Sequence, residues 1–271
     1  MDNRPIGFFD SGLGGLNSVP KLMKALPKER VVYFGDTART PYGSKDISTI
    51  KTFAVRIADF LVRSDVKMIV IACNTASATC LDMLRERYPD IPVVGIIDPA
   101  AAAVSRRCTE ENHIGIIGTK VTIQSGSYRK NIEKYNSNLH IYEKACPAFV
   151  PLIEEGILND EIMELTIRYY MDDFVGEDGL DTLVLGCTHY PLIRADIERL
   201  YPDLDIIDPS EEIIYRIEEI LKENDIQADG AGAENEFYAS DLSENFINMI
   251  KTIFRDEDAH VEFKNLEPDP V

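Results

Sequence analysis

Two cysteines, one in each half of the chain, carry the most chemical information. Cys73 stands in Ile69-Val70-Ile71-Ala72-Cys73-Asn74-Thr75-Ala76, and Cys187 in Leu183-Val184-Leu185-Gly186-Cys187-Thr188-His189-Tyr190-Pro191. Each ends a short apolar run rich in β-branched residues. Each is followed by small hydroxyl or amide residues suited to opening a helix, the strand–turn–helix position at which open α/β sheets place their ligands. Two thiols so placed could act on opposite sides of one small molecule. A thiol with an ordinary pKa of about 8.5 is only about 3% ionised at pH 7, and keeping it ionised costs about 2 kcal/mol. A helix N-terminus and nearby donors are expected to offset that. Asp10 and His189 are the side chains suited to manage these protons. The other cysteines, Cys80, Cys108 and Cys146, read as buried and inert. A metal held by Cys73, Cys187 and His189 would lack a fourth ligand and the paired spacing of metal motifs, so no metal is expected.

Polar residues gather at the other strand ends too: Asp10-Ser11, Tyr42-Gly43 and Asn74-Thr75 in the first half, Gly118-Thr119 and Thr188-His189 in the second. Hydroxyls, amides and free N–H groups at helix starts suit a carboxylate ligand. No Lys or Arg lies in these motifs, so a small anion would be held mainly by neutral donors and helix dipoles. The loop Asp10-Ser11-Gly12-Leu13-Gly14-Gly15 is neither G-x-G-x-x-G nor a P-loop, which argues against a nucleotide. Its glycines let backbone approach a small ligand closely.

Alternating elements must position these groups. Strands are expected at 6–9, 31–35, 68–72, 91–97, 114–117, 139–143, 182–186 and 204–207, with the 91–97 strand ending in Asp98-Pro99. Helices are expected over 44–63, from Cys73 to about Tyr88, and from Asp208-Pro209-Ser210 to about Glu223. A strand at 236–239, a helix at 242–254 and a strand at 260–263 should complete the first lobe, before a frayed end over 267–271. The halves correspond: Ile6–Ser11 resembles Ile114–Thr119, Ile96–Pro99 resembles Ile206–Pro209, and Cys73 matches Cys187, at offsets of about 110 residues. The expected fold is α/β, with two pseudo-symmetric lobes, each a mostly parallel sheet covered by helices, and the site in the cleft between them. The first lobe would hold residues 1–98 plus 209–271, and the second residues 99–208.

A length of 271 residues fits two lobes, and 45% hydrophobic residues suffice for their cores. A net charge of −19 argues against binding nucleic acid. No apolar run is long enough to span a bilayer, so no membrane is expected. The N-terminal residues lack a signal-peptide core, which points to the cytoplasm. Five cysteines without a C-x-x-C pair argue against a disulfide framework there.

These motifs resemble those of the glutamate racemases, in the aspartate/glutamate racemase superfamily, over almost the whole chain. The anchors are Ile6-Gly7-Phe8-Phe9-Asp10-Ser11-Gly12-Leu13-Gly14-Gly15-Leu16, Gly35-Asp36, Pro41-Tyr42-Gly43, Ala72-Cys73-Asn74-Thr75-Ala76, Cys146-Pro147-Ala148-Phe149-Val150-Pro151-Leu152-Ile153-Glu154 and Leu185-Gly186-Cys187-Thr188-His189-Tyr190-Pro191. The resemblance implies a cofactor-independent racemase that interconverts L- and D-glutamate and supplies D-glutamate for bacterial peptidoglycan. It implies that Cys73 removes the α-proton of D-glutamate and Cys187 that of L-glutamate. Asp10 would assist Cys73, and His189 with Glu154 would assist Cys187, although the adjoining Glu155 could be the inward carboxylate instead. Asp10, Ser11, Tyr42, Gly43, Asn74, Thr75, Thr119, Thr188 and His189 map onto substrate-holding positions, and a homodimer is possible. Racemisation is the reaction that most needs two like acid/base groups mirrored across a plane, and thiols suit it because their pKa lies near the operating pH. Two alternatives remain: a racemase of a related amino acid such as aspartate, and a non-catalytic small-anion binding protein on the same fold. Asn17, where threonine is more usual, and Phe237-Tyr238-Ala239-Ser240-Asp241, which lacks a usual glycine, depart from the pattern outside its core motifs.

Overall fold

Short runs rich in apolar residues form most of the strands, and the strands carry the site at their ends. They are β1 (Ile6–Asp10), β2 (Val31–Gly35), β3 (Met68–Ile71) and β4 (Val93–Gly95), then β5 (His113–Gly118), β6 (His140–Ala145), β7 (Thr182–Gly186) and β8 (Asp205–Ile207), with β9 (Glu236–Ala239) and β10 (Val261–Phe263) following. Every position of β1 to β4 and of β7 is buried, as a sheet covered on both faces requires. The computed structural model describes residues 1–230, 234–243, 247, 250 and 261–266. Among them the strands form two sheets, in the orders β10-β9-β2-β1-β3-β4 and β6-β5-β7-β8, and all their pairings are parallel.

The inner four strands of the first sheet and the four of the second follow one plan. In each, the first strand lies between the second and the third, and the fourth flanks the third. The correspondence between the halves is thus a shared topology. β9 and β10 extend only the first sheet, through the pairing of β9 with β2.

Side chains alternate between the faces of the first sheet. Ile6, Phe8, Val31, Tyr33, Met68 and Val70 join a core continuous with that of the second sheet. Phe9, Val32, Phe34, Ile69 and Ile71 meet Ile50, Ala54, Ile57 and Leu61 on a helix of the opposite face.

The helices are α1 (Ser18–Ala25), α2 (Ile47–Arg63), α3 (Asn74–Arg87), α4 (Ile97–Arg107), α5 (Lys120–Ser125), α6 (Ser127–Tyr135), α7 (Phe149–Glu154), α8 (Glu161–Asp178), α9 (Arg194–Leu200) and α10 (Pro209–Glu223). Several start on side-chain caps: Asp46 accepts the Ser48 N–H at 2.8 Å, Asp160 that of Ile162 at 2.8 Å, and Asp208 that of Ser210 at 2.9 Å.

One expected boundary moves. The strand expected over 91–97 is only Val93–Gly95, and Asp98-Pro99 lies in the first turn of α4 rather than at a strand end. β4 pairs only with β3, register Ile69↔Val93 to Ile71↔Gly95. Beyond Ile71 the neighbouring chain turns into the Cys73 cap, so Ile96 has no strand to pair with and the chain coils. Most of the helix expected over 242–254, and the end over 267–271, lie outside the described residues.

Candidate active site

The shared strand order puts β1 beside β3 and β5 beside β7, with connections leaving to opposite sides, a switch point where open α/β sheets bind ligands. Asp10 and Ser11 end β1, Cys73 follows β3, Thr119 follows β5 and Cys187 follows β7. The two switch points face one another. Thr75 Oγ1 of the first lies 3.0 Å from Thr119 Oγ1 of the second. A Cβ on Gly43 would strike the side chain of Thr119, and one on Gly14 would strike Thr188. Only glycine lets the loops approach this closely.

Cys73 is the N-cap of α3, its sulfur accepting the Ala76 N–H at 3.4 Å. Its thiol donates to Ser11 Oγ at 3.5 Å. The residue is 4% exposed. Burial, reinforced by the Asp10 carboxylate, pushes the thiol up to about 12. This departs from the ionised thiol expected of a helix N-terminus, because one amide donor offsets little of the desolvation. Asp10 is itself wholly buried, its carboxylate accepting from the Gly12 N–H at 3.1 Å and from Thr188 Oγ1 at 3.3 Å. Burial raises its pKa against the pull of His189 and the Gly15 and Gly12 N–H groups.

The Cys187 side is built differently. Its sulfur lies 3.9 Å from His189 Nδ1, and His189 Nε2 lies 3.1 Å from Glu154 Oε1. The latter is an ion-pair contact between a buried imidazole and a half-buried carboxylate. Burial opposes a charge on His189, but Cys187 and Glu154 outweigh it and lift the imidazole to about 10. Burial works against a charge on Glu154 too, yet His189 and the Thr40 hydroxyl hold its pKa below the usual range. Thr40 Oγ1 donates to Glu154 Oε1 at 2.9 Å. Glu154 is the inward carboxylate, and the neighbouring Glu155 is exposed.

The remaining expected residues lie at the same junction. Ser11, Asn74, Thr75, Thr119 and Thr188 are all buried. Asn74 Oδ1 accepts from Tyr128 Oη at 2.6 Å, while its Nδ2 is buried with no partner among the described residues. Thr119 caps α5. Tyr42 is buried, but its hydroxyl is committed to the buried Asp36, so it can offer a ligand only its backbone. Sequence reasoning missed Thr122, which completes a hydroxyl triangle with Thr75 at 3.1 Å and Thr119 at 3.0 Å. Its place three residues after a capping threonine was the available signal. Thr40 and Tyr128, bonded to residues far away in the chain, had none. Among the described residues no group of three or more His, Cys, Asp or Glu could hold a metal ion, and no helix is long and apolar enough to cross a membrane.

Two thiols thus stand at equivalent strand ends, one beside Asp10 and one beside His189, among neutral donors, an arrangement suited to moving a proton on a small acid. Comparison with known proteins points the same way. Residues 16–215 match the family described as Asp/Glu/hydantoin racemase. A glutamate racemase of Persephonella marina is 42% identical over 257 residues, covering 95% of each chain. The structure of a glutamate racemase of Francisella tularensis in complex with D-glutamate superposes with a TM-score of 0.91 at 39% identity, covering 98% of this chain and 99% of that one. A Bacillus anthracis glutamate racemase isoform gives 0.90 at 32% identity, with the same coverage. The chain belongs to the Asp/Glu/hydantoin racemase family, among the glutamate racemases.

Proposed function

We propose that this chain interconverts L- and D-glutamate by proton transfer between Cys73 and Cys187, with no cofactor. The observation that carries this reading is the placement of two thiols at equivalent strand ends of two facing sheets, one beside Asp10 and one beside His189 and Glu154. From L-glutamate, the Cys187 thiolate takes the α-proton and the electron pair passes into the α-carboxylate. The Cys73 thiol gives its proton to the opposite face, and D-glutamate leaves. The reverse reaction swaps the roles.

Protonated His189 stabilises the Cys187 thiolate, and Glu154 keeps His189 charged. Cys73, buried near an anion, starts as a strong proton holder. The substrate's ammonium group would supply the positive charge that lets it ionise when it acts as the base. Ser11, Asn74, Thr75, Thr119, Thr188 and the backbone of Tyr42 and Gly43 hold the carboxylates. The unpaired Asn74 Nδ2 is a ready donor for one of them.

The reading extends to the supply of D-glutamate for bacterial peptidoglycan, a cytoplasmic location, a homodimer, and lobes divided as 1–98 with 209–271 and 99–208. Circular dichroism of L-glutamate, L-aspartate and L-glutamine solutions, with purified protein and no added cofactor, tests the activity. The signal should decay with L-glutamate alone. Faster decay with L-aspartate would assign the sister activity, and no decay with any of them would leave a binding protein. Dialysis against a chelator and a carbonyl reagent should leave the rate unchanged.

A further inference from the structure

Pro191 leaves a backbone acceptor in the Cys187 turn without a donor from its own segment. After β7, the Tyr190 N–H bonds the Cys187 carbonyl and the Leu192 N–H bonds the His189 carbonyl, each at 3.1 Å. The Thr188 carbonyl between them would pair with the N–H three residues on, but that residue is Pro191 and has none. A buried carbonyl left unpaired is destabilising. The donor comes from across the cleft, where Asn17 Nδ2 lies 3.0 Å from Thr188 O. Asn17 ends the short 3-10 turn Gly14–Asn17, whose Gly14 packs directly on Thr188.

We infer that Asn17 is a positioning residue for Cys187: it caps the Thr188 carbonyl that Pro191 orphans and holds the Cys187–His189 turn against the first lobe. It acts through Thr188, the residue between the thiol and the imidazole. Cys73 is fixed by its own helix cap and meets Thr188 only indirectly, through Asp10, so its side should be disturbed less. The inference rests on the proposal that the two thiols serve opposite faces.

The test uses L- and D-3-chloroglutamate. Loss of the α-proton to one thiolate expels chloride as the electron pair forms a Cα=Cβ bond, so each enantiomer reports on one base. Cys73→Ser and Cys187→Ser, run alongside, establish which enantiomer belongs to which thiol. Asn17→Leu, and the isosteric Asn17→Asp where Asn17→Leu fails to fold, should slow chloride release about five- to tenfold on the enantiomer that Cys187→Ser loses. The other enantiomer should stay within about twofold. Equal slowing of both enantiomers, or of neither, in folded variants would overturn the positioning role while leaving the two-base reading intact. If Cys187→Ser spares both enantiomers, the two-base reading fails and this inference falls with it.

Discussion

The two thiol sites occupy equivalent places in two copies of one topology, yet their surroundings are opposite in charge. Cys73 opens the 14-residue helix α3 and has a buried carboxylate, Asp10, as its neighbour, which helps push the thiol up to about 12. Cys187 opens no long helix. Behind it lie Thr188, His189 and the 3-10 turn Tyr190–Ile193, so its support is the imidazole, lifted to about 10 and backed by Glu154. The shared topology gives symmetry of position, and the residues around each thiol break the symmetry of electrostatics. On the proposed mechanism the carboxylate on one side and the imidazole on the other give the two thiols unlike partners for a reaction that both removes and returns a proton.

Removing either thiol should have the largest effect. Cys73→Ala and Cys187→Ala should each lower racemisation by about 10³-fold or more, with far-UV circular dichroism unchanged. Near wild-type turnover in either folded variant would end the pairing. Asp10→Asn and His189→Asn should each cost about 10²-fold in kcat. In His189→Asn the loss of rate that accompanies deprotonation near pH 10 should vanish from the pH–rate profile, whereas Asp10→Asn should keep it. An alkaline limb that survives in His189→Asn would show that another group controls it.

Glu154→Gln removes a carboxylate that raises the His189 pKa, so the alkaline limb should move below about 10, with a rate loss under about tenfold. The same change at exposed Glu155 should move nothing, and matching shifts in both variants would contradict the inward placement of Glu154. The smallest effect is on stability. The folded pKa of His189 lies above its usual 6.5, so its contribution is fully present below about pH 6.5 and is lost as the pH rises through about 10. The gap in melting temperature between wild type and His189→Asn should therefore narrow across that window. A gap that widens would mean the imidazole is neutral in the folded protein.

Much of this was legible in the sequence because the strands that lead into the thiols are buried on both faces. Runs such as Ile69-Val70-Ile71 or Leu183-Val184-Leu185 admit little else beside the turn residues that follow them. The repeated landmarks carried the duplication, and the thiols stood at their ends. The Asp98-Pro99 boundary was not legible, since whether Ile96 and Ile97 extend a strand depends on where the neighbouring strand stops. Nor was the choice between Glu154 and Glu155, which adjoin at the end of α7 and differ only in which way they face. Thr40 and Asn17 meet partners 114 and 171 residues away, a proximity no local pattern encodes. The ionisation of Cys73 was misjudged for a related reason: a helix start is visible in sequence, but the depth of burial that overrides it is not.

Deuterium labelling reports whether two thiols act on opposite faces of one carbon. L-glutamate is incubated with the protein in D₂O, and both enantiomers are recovered within the first few per cent of conversion. The D-glutamate should carry deuterium at the α-carbon, since its proton comes from the second thiol, while recovered L-glutamate stays unlabelled. Deuterium appearing in the L-glutamate as fast as in the D-product would mean that a single group serves both faces and that the two-thiol mechanism is wrong.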